Sequence, residues 1–259
     1  MPLPRAARQF DEISPEYDAT RPPLDPETVA GIVRVLGEHG VRSVLEVGVG
    51  TGRVAGPLAA GGLRVTGVDA ARGMLARARA KGLERLVRGS AYRPPFRPGA
   101  FDAALFVHVL HVLDDPPRAI TVAGDVASGL VFGLVRPRSG TEGERSAGWS
   151  ARRRVYEILS EEGYAVARDR PGGPGGRERE LLATWPPDEL VVIADRTVTE
   201  PIGRTLDLMA RRASRHVLDV PPEALARAVD AVRREVGDRT FTFRRVEALA
   251  AWRPRAAAA

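Results

Sequence analysis

The sequence predicts an α/β fold in which helices cover both faces of a mostly parallel sheet. Apolar strand segments alternate with helical patterns between residues 41 and 135, and this alternation is typical of parallel sheets. The segment 101–107 is mostly apolar, as expected of a strand covered on both sides. The segment 41–47 runs into three glycines and then a helix, a pattern found at ligand-binding edges of such sheets.

The N-terminal part is predicted to contain one helix. Residues 1–26 are rich in proline and predict an irregular segment. Residues 26–36 carry apolar residues at helical spacing. Asp25 can cap this helix, and Pro26 suits its first position.

The elements of the central part follow from their hydrophobic periodicity. Strands are expected at 41–47, 63–68, 85–89, 101–107 and 130–135. Helices are expected at 51–60, 71–81 and 117–125. Pro57 lies inside the first of these helices and removes one backbone donor, which predicts a short or kinked helix.

The pattern changes beyond residue 136. We expect a polar linker at 137–148 and a flexible glycine-rich tip at 171–176. Helices are expected at 150–162, 205–215 and 222–236, strands at 190–198 and 240–252, and a frayed tail at 256–259. Trp185 and Trp252 are expected to lie in the core.

The composition excludes several kinds of chemistry. The sequence contains no cysteine, which excludes disulfides, thiolate metal sites, iron–sulfur clusters and cysteine nucleophiles. No apolar run approaches the roughly 18 residues that span a bilayer, and the first residues lack the apolar core of a signal peptide. These patterns predict a cytoplasmic protein without a membrane segment. The net charge of +6 comes almost entirely from arginines spread along the chain, so it gives only weak support for a nucleic-acid partner.

The glycine-rich segment 44–52 carries the strongest functional signal. Glycine is required where the backbone turns with positive φ or where a ligand lies against it. Free N–H groups at the following helix favour a polar or anionic ligand group. Asp69 ends the second strand, where a carboxylate can accept hydrogen bonds from ribose hydroxyls. Together these features predict a nucleoside cofactor.

Two nucleoside cofactors compete for this segment. The dinucleotide pattern G-x-G-x-x-G/A fails from Gly48, because Arg53 takes its last position. It passes from Gly50 to Ala55, but then begins beyond the strand end. Glu46 could receive an ammonium group, whereas its charge would oppose a pyrophosphate. The segment therefore favours S-adenosylmethionine (SAM), and an NAD(P)-dependent oxidoreductase remains an alternative.

Four segments resemble the class I SAM-dependent methyltransferases, in particular the subgroup that acts on small molecules. They are VLEVGVGTGR (44–53), VTGVDAARGML (65–75), the stretch 86–115, and FDEISPEYDATRPP (10–23). The resemblance implies a Rossmann-like sheet of seven strands, mostly parallel with an antiparallel late strand, and a helical cap in the C-terminal half. It divides one compact domain into an N-terminal lid segment and helix (1–35), a SAM-binding core (36–136), and a linker with acceptor-covering helices and final strands (137–259).

The same resemblance implies a set of SAM-binding residues. The glycine loop and Glu46 would hold the methionine portion, Asp69 the ribose, and Met74 would lie near the adenine. The full set is Tyr17, Arg21, Glu46, Gly48, Gly50, Thr51, Gly52, Asp69, Ala70, Met74, Ser90, Ala91 and Val107. Two departures leave room for weaker binding: Ser90 stands near a position where the family often has an acid, and 125–129 replaces a Pro-Gly-Gly turn.

Candidate catalytic residues follow the fourth strand. Methyl transfer is an in-line displacement in which positioning supplies much of the catalysis, and a base is needed only when the acceptor loses a proton. His108 emerges at the ligand-binding edge, and His111 follows three residues later. No third ligand accompanies these histidines, so no metal site is expected. His39 and His216 are expected at the surface or at helix ends.

The predicted acceptor is a small molecule. Val107-His-Val-Leu110 stands where nucleic-acid adenine methyltransferases of this fold carry an Asn- or Asp-Pro-Pro-aromatic turn. This difference argues against methylation of nucleic-acid adenine. A non-catalytic SAM-binding regulatory or assembly protein and an RNA methyltransferase remain alternatives.

Overall fold

The computed structural model describes residues 5–21, 23–137, 146–166, 176–211 and 217–254. Some expectations fall outside these ranges. They concern most of the linker 137–148, the tip at 171–175, the end of the helix 205–215, His216, and the tail 256–259.

Seven strands form one sheet, which confirms the predicted fold class. They are β1 (Ser43–Val47), β2 (Arg64–Asp69), β3 (Leu86–Arg88), β4 (Ala103–Val107), β5 (Val131–Val135), β6 (Glu189–Pro201) and β7 (Thr240–Trp252). Their order is β3-β2-β1-β4-β5-β7-β6. The first five strands are parallel, and β7 pairs antiparallel with both β5 and β6.

The helices of the described residues follow the predicted alternation through the core. They are α1 (Arg5–Ile13), α2 (Tyr17–Thr20), α3 (Pro26–Glu38), α4 (Ala55–Ala60), α5 (Arg72–Ala80), α6 (Pro116–Val126), α7 (Ser146–Glu161), α8 (Gly176–Thr184), α9 (Ile202–Ala210) and α10 (Pro222–Val236). A 3-10 turn, Leu110–Val112, follows β4.

Apolar side chains pack on both faces of the sheet. Leu105 and Phe106 are neighbours on β4, so their side chains point to opposite faces. Leu105 belongs to a buried cluster with residues of α3, α4 and α5. Phe106 belongs to a second cluster with Ile120 of α6 and Leu181 of α8. Full burial of one such side chain stabilises the fold by about 1.5–3 kcal/mol.

A third core lies in the C-terminal half and forms the predicted helical cap. Leu159 of α7, Leu206 of α9 and Val229 of α10 are buried together. The hairpin of β6 and β7 leads to this cap, because β5 ends opposite Ala248 and residues 240–247 of β7 pair only with β6. The cap therefore stands beyond the carboxyl ends of the parallel strands.

Three expectations about helices are corrected. Residues 1–26 were expected to be irregular, but they contain α1 and α2; Ala7, Phe10 and Ile13 recur at helical spacing inside the proline-free stretch 5–13. The helix α8 was not predicted, since its sequence is strongly charged. The helix expected at 51–60 begins only at Ala55, so Pro57 lies in its first turn, where backbone N–H groups lack intrahelical partners.

Other boundaries agree more closely with the sequence. Asp25 caps α3 by accepting a hydrogen bond from the Glu27 N–H at 3.0 Å, as predicted. Helix α7 begins before the expected residue 150, and α9 lies earlier than the expected 205–215. Trp252 is buried and its indole N–H donates to the Trp185 carbonyl at 3.2 Å, while Trp185 is only half-buried. Within the described ranges, no helix is both long enough and apolar enough to cross a bilayer.

Candidate cofactor and acceptor site

The three glycines of the loop after β1 all adopt positive φ. The angles are 76° at Gly48, 56° at Gly50 and 75° at Gly52. A Cβ atom on Gly48 would lie 2.6 Å from Val109, and one on Gly52 would lie 2.1 Å from Leu83. A Cβ atom on Gly50 would meet only the Gly48 carbonyl oxygen, at 4.0 Å. Gly48 and Gly52 are thus required by packing, whereas Gly50 faces open space that a ligand can occupy.

Asp69 joins the glycine loop to the end of β2. Its Oδ2 accepts a hydrogen bond from the Gly50 N–H at 2.8 Å, and its Oδ1 accepts one from the Ala71 N–H at 2.8 Å. Burial raises the pKa of this carboxyl, although the backbone hydrogen bonds oppose the rise. A carboxylate has about four acceptor positions, so both oxygens keep the capacity to accept ribose hydroxyls.

Glu46 is a buried carboxyl beneath the glycine loop. Only 2% of the residue is exposed. Burial, followed by the nearby Asp69, raises the pKa of Glu46 to about 8, and the Ala55 N–H donates a hydrogen bond to its carboxyl group. Its Oε2 atom has no hydrogen-bond partner among the described residues. An unpartnered buried acceptor is costly, so this position fits a cationic group such as the ammonium of SAM.

The N-terminal segment, residues 5–21, is bound to the glycine loop by side-chain contacts. Asp18 of α2 accepts a hydrogen bond from the Thr51 hydroxyl at 2.6 Å and forms an ion pair with Lys81 at 2.6 Å. Lys81, the only lysine of the sequence, also donates to the Thr51 carbonyl at 3.0 Å. Burial of Asp18 opposes ionisation, but the bonds from Lys81 and Thr51 lower its pKa. Thr51 therefore holds the segment over the loop.

We expect Lys81→Met to loosen this attachment. The ion pair is partly exposed, so its loss should cost about 1 kcal/mol. Amide hydrogen exchange in residues 5–21 should become about fivefold faster. The matched control is Arg34→Met, which removes an exposed ion pair with Glu38 on α3. Equal exchange in residues 5–21 for both variants would show that Lys81 does not hold the segment.

Met74, Tyr17 and Arg21 are also expected near the cofactor, and all three lie in or against the N-terminal segment. Met74 is buried with Ile13 and Ala71, beneath the N-terminal segment. Tyr17 packs edge-on against Phe10, with ring centroids 6.2 Å apart. The Arg21 guanidinium lies 5.5 Å from the centroid of the Tyr17 ring.

The turn after β3 has its own internal hydrogen bonding. The Ser90 hydroxyl accepts a hydrogen bond from the Tyr92 N–H at 3.2 Å. Ala70 and Ala91 are half-buried, and Val107 is buried at the end of β4. These residues border the carboxyl edge of the sheet, and the Ser90 hydroxyl can still donate a hydrogen bond.

The structure separates the two candidate catalytic histidines. His108 has a φ of 55°, a left-handed conformation that is uncommon for residues other than glycine and frequent at functional sites. His111 lies in the 3-10 turn and points towards α8, where its Nδ1 is 3.5 Å from Glu178 Oε1. His108 thus stays at the carboxyl edge of β4, whereas His111 contacts another helix.

The environment of His108 favours the neutral imidazole. Burial, together with the nearby Arg136 and Arg53, lowers the pKa of His108 to about 3. A neutral imidazole has one nitrogen that can accept a proton. The residue is therefore neutral at pH 7 and can accept a hydrogen bond, whereas so low a pKa makes it a weak proton acceptor.

This lowered pKa predicts how stability responds to acid. The neutral form stabilises the fold fully above the ordinary pKa of 6.5, and this contribution is lost as the pH falls towards 3. The variant His108→Asn lacks the titrating group, and Asn tolerates left-handed backbone. Its loss of unfolding free energy between pH 7 and pH 5 should be smaller than that of the parent by about 2 kcal/mol. Urea unfolding across this range measures the difference, and parallel curves would contradict it.

A buried ion-pair network lies beside His108 and was not foreseen from the sequence. Glu247 of β7 is 2% exposed. It accepts hydrogen bonds from the Thr28 hydroxyl at 2.6 Å, from Arg136 at 3.1 Å and from Arg196 at 3.1 Å. Burial opposes ionisation of Glu247, but the Thr28 hydroxyl and Arg136 lower its pKa. The only sequence signal was a single acid inside an otherwise apolar stretch of the last strand.

Comparisons with known proteins agree with this geometry. Residues 45–127 match the family model described as a methyltransferase domain. The chain is 30% identical over 120 residues to a demethylmenaquinone methyltransferase of Renibacterium salmoninarum, a match that covers 44% of this chain and 50% of the relative. The chain thus spans about half the length of this curated relative.

Solved structures share the fold at lower identity. One is a SAM-dependent methyltransferase of Thermotoga maritima, described as a possible histamine N-methyltransferase, with a TM-score of 0.53, 20% identity, and coverage of 94% of this chain and 98% of that one. Another is the [4+2]-cyclase SpnF, with a TM-score of 0.50, 20% identity, and coverage of 98% of both chains.

Residues 45–127 thus match a methyltransferase domain, and the chain shares its fold with a SAM-dependent methyltransferase of known structure. SAM is the cofactor of such methyltransferases. The predicted resemblance and fold class are thereby confirmed.

Proposed function

We propose that this protein transfers a methyl group from SAM to a small-molecule acceptor. The observation that carries the proposal is the unpartnered Oε2 of Glu46, buried beneath a glycine loop that Asp69 ties to β2. When bound, SAM supplies a methyl carbon activated by its sulfonium. The cytoplasmic location predicted from the sequence belongs to the same proposal.

In the proposed binding mode, two acidic residues bind different parts of the cofactor. Glu46 receives the ammonium group, and the open space at Gly50 takes the methionine portion. Asp69 accepts the ribose hydroxyls. The adenine lies towards the turn after β3, against the residues Ala70, Met74, Ser90, Ala91 and Val107, and the segment that carries Tyr17 and Arg21 covers it.

His108 is the proposed catalytic residue, and its role is to hold the acceptor. It stands at the carboxyl edge of β4, beside the strand that leads to the glycine loop. Its neutral imidazole can accept a hydrogen bond from an O–H or N–H group of the acceptor and so orient it. His111 has a lesser role in this proposal, because Glu178 engages its Nδ1 and thereby orients the turn after β4.

The small-molecule acceptor is supported by the relative's printed name, which identifies a methyltransferase of demethylmenaquinone. The fold by itself does not determine the chemistry, since the neighbour SpnF is named as a [4+2]-cyclase. Methyl transfer therefore has to be measured directly.

The test has two steps on the same purified protein. Calorimetric titration with S-adenosylhomocysteine should show binding at one site, and NADH or RNA should not compete. Radiolabelled methyl-SAM is then incubated with a metabolite extract, and label should appear in a small-molecule fraction. Binding without transfer to any fraction would favour a non-catalytic SAM-binding protein. No binding of S-adenosylhomocysteine would refute the proposal.

A further inference from the structure

Arginines gather above the carboxyl ends of the central strands. Arg53 follows the glycine loop, Arg136 follows β5, and Arg245 lies on β7. Burial lowers the pKa of Arg53 and of Arg245, and in both cases the charge of Arg136 lowers it further. Arg136 is therefore close to both guanidinium groups, and it is also close to His108. Positive charges held this close to one another make this edge of the sheet attractive to anions.

The acidic residues Glu247 and Glu200 near these arginines bind specific side chains. One carboxylate oxygen of Glu247 binds Arg136, and the other binds Thr28 and Arg196. Glu200 forms an ion pair with Arg245 at 3.4 Å.

The pair of Arg136 and Glu247 is asymmetric. The Arg136 side chain is 53% exposed, whereas that of Glu247 is 2% exposed. The outward side of this pair is therefore cationic. Glu247 holds Arg136 in place from below without covering it.

We propose that Arg136 is a specificity-determining residue that binds an anionic group, a carboxylate or phosphate, of the methyl acceptor. The inference rests on the proposed function, whose acceptor it narrows to anionic small molecules. A guanidinium can bind either group through two parallel hydrogen bonds. The charge of Arg136 lowers the pKa of His108, so the two residues can face the same acceptor.

The carboxylate of SAM is the other source of the same chemistry. The sheet order argues for the acceptor, because β4 separates β5 from β1, whose loop receives the methionine portion. Two strand spacings place the end of β5 about 10 Å from the end of β1. Arg136 therefore lies to one side of the proposed methionine position, on the side of the C-terminal cap.

The experiment titrates protein that is saturated with S-adenosylhomocysteine. The probes are benzoate and phenyl phosphate, with benzamide as the uncharged counterpart. At least one anion should bind about tenfold more tightly than benzamide, as expected for a charge-assisted pair with arginine. Arg136→Met should abolish this preference and leave the affinity for S-adenosylhomocysteine within about twofold. Arg34→Met, an equal charge change on the exposed surface of α3, should keep the preference.

A second variant excludes a general loss of structure. Arg136→Met leaves Glu247 buried with one partner fewer. The double variant Arg136→Met/Glu247→Gln removes this buried charge and restores the net charge of the parent protein. It should also lose the anion preference. Equal binding of charged and uncharged probes, or no binding of either anion, would overturn the inference while the proposed function stands. Weaker binding of S-adenosylhomocysteine to both variants would instead assign Arg136 to the cofactor. Failure of the unaltered protein to bind S-adenosylhomocysteine would overturn the proposed function itself.

Discussion

Replacing Glu46 with Gln should stabilise the ligand-free protein at neutral pH and weaken its binding of S-adenosylhomocysteine. Burial raises the pKa of Glu46 to about 8, so the protonated carboxyl is the form that the fold accommodates. At pH 7 the parent protein carries a penalty of about 3 kcal/mol, because the unfolded carboxyl ionises and the folded one does not. Gln has a similar shape and carries no such penalty.

The sign of the pH dependence follows from this raised pKa. The protonated carboxyl contributes its stability fully below the ordinary pKa of 4.5, and the contribution is lost as the pH rises to about 8. Urea unfolding should therefore show parent and Glu46→Gln converging near pH 4 and diverging up to pH 8. The control Glu38→Gln changes an exposed carboxyl on α3 and should stay within about 0.5 kcal/mol of the parent. A constant difference between parent and Glu46→Gln at every pH would contradict the account.

The binding experiment gives the complementary result. An ammonium group beside Glu46 favours the carboxylate, so binding at pH 7 should release a proton from Glu46. Calorimetry in buffers of different ionisation enthalpy counts this proton. Glu46→Gln should release none and should bind S-adenosylhomocysteine at least tenfold more weakly, about the loss of one charged hydrogen bond. Unchanged affinity in this variant would remove Glu46 from the cofactor site.

Replacing Asp69 with Ala should weaken S-adenosylhomocysteine binding by about 1–3 kcal/mol. The variant removes the acceptor of the ribose hydroxyls. It also removes the 2.8 Å hydrogen bond that the Gly50 N–H donates to Asp69. Adenosine binding should fall by a similar factor, since adenosine contains the ribose but not the methionine portion. Titration calorimetry measures both ligands.

The control for Asp69 is Asp195→Ala, an exposed residue of β6 that pairs with Arg244. It should bind both ligands like the parent. If Asp69→Ala bound adenosine as well as the parent does, the assignment of Asp69 to the ribose would be wrong.

The sequence predicted the parts of the fold that depend on local patterns. The strand β1, the three glycines and Asp69 are contiguous signals, and the structure brings Asp69 to Gly50 because parallel neighbours end at one edge. Helix α10 and strand β7 have the predicted bounds, since both show clear periodicity.

The parts that were missed depend on long-range contacts. Glu247 meets Thr28 across most of the chain, and no local pattern identifies such a pair. Likewise, the sequence shows Lys81 only as a single lysine. Its ion pair with Asp18 depends on the position of α2 over the glycine loop, which no local pattern predicts. The packing of Met74 against Ile13 of α1 was likewise not predicted, and its place near the adenine stays a prediction.

A crystal structure with S-adenosylhomocysteine tests the central claim most directly. We expect the ammonium within hydrogen-bonding distance of Glu46, or joined to it by one water, and both ribose hydroxyls on Asp69. A nucleoside bound elsewhere, or a dinucleotide lying across the glycine loop, would contradict the account.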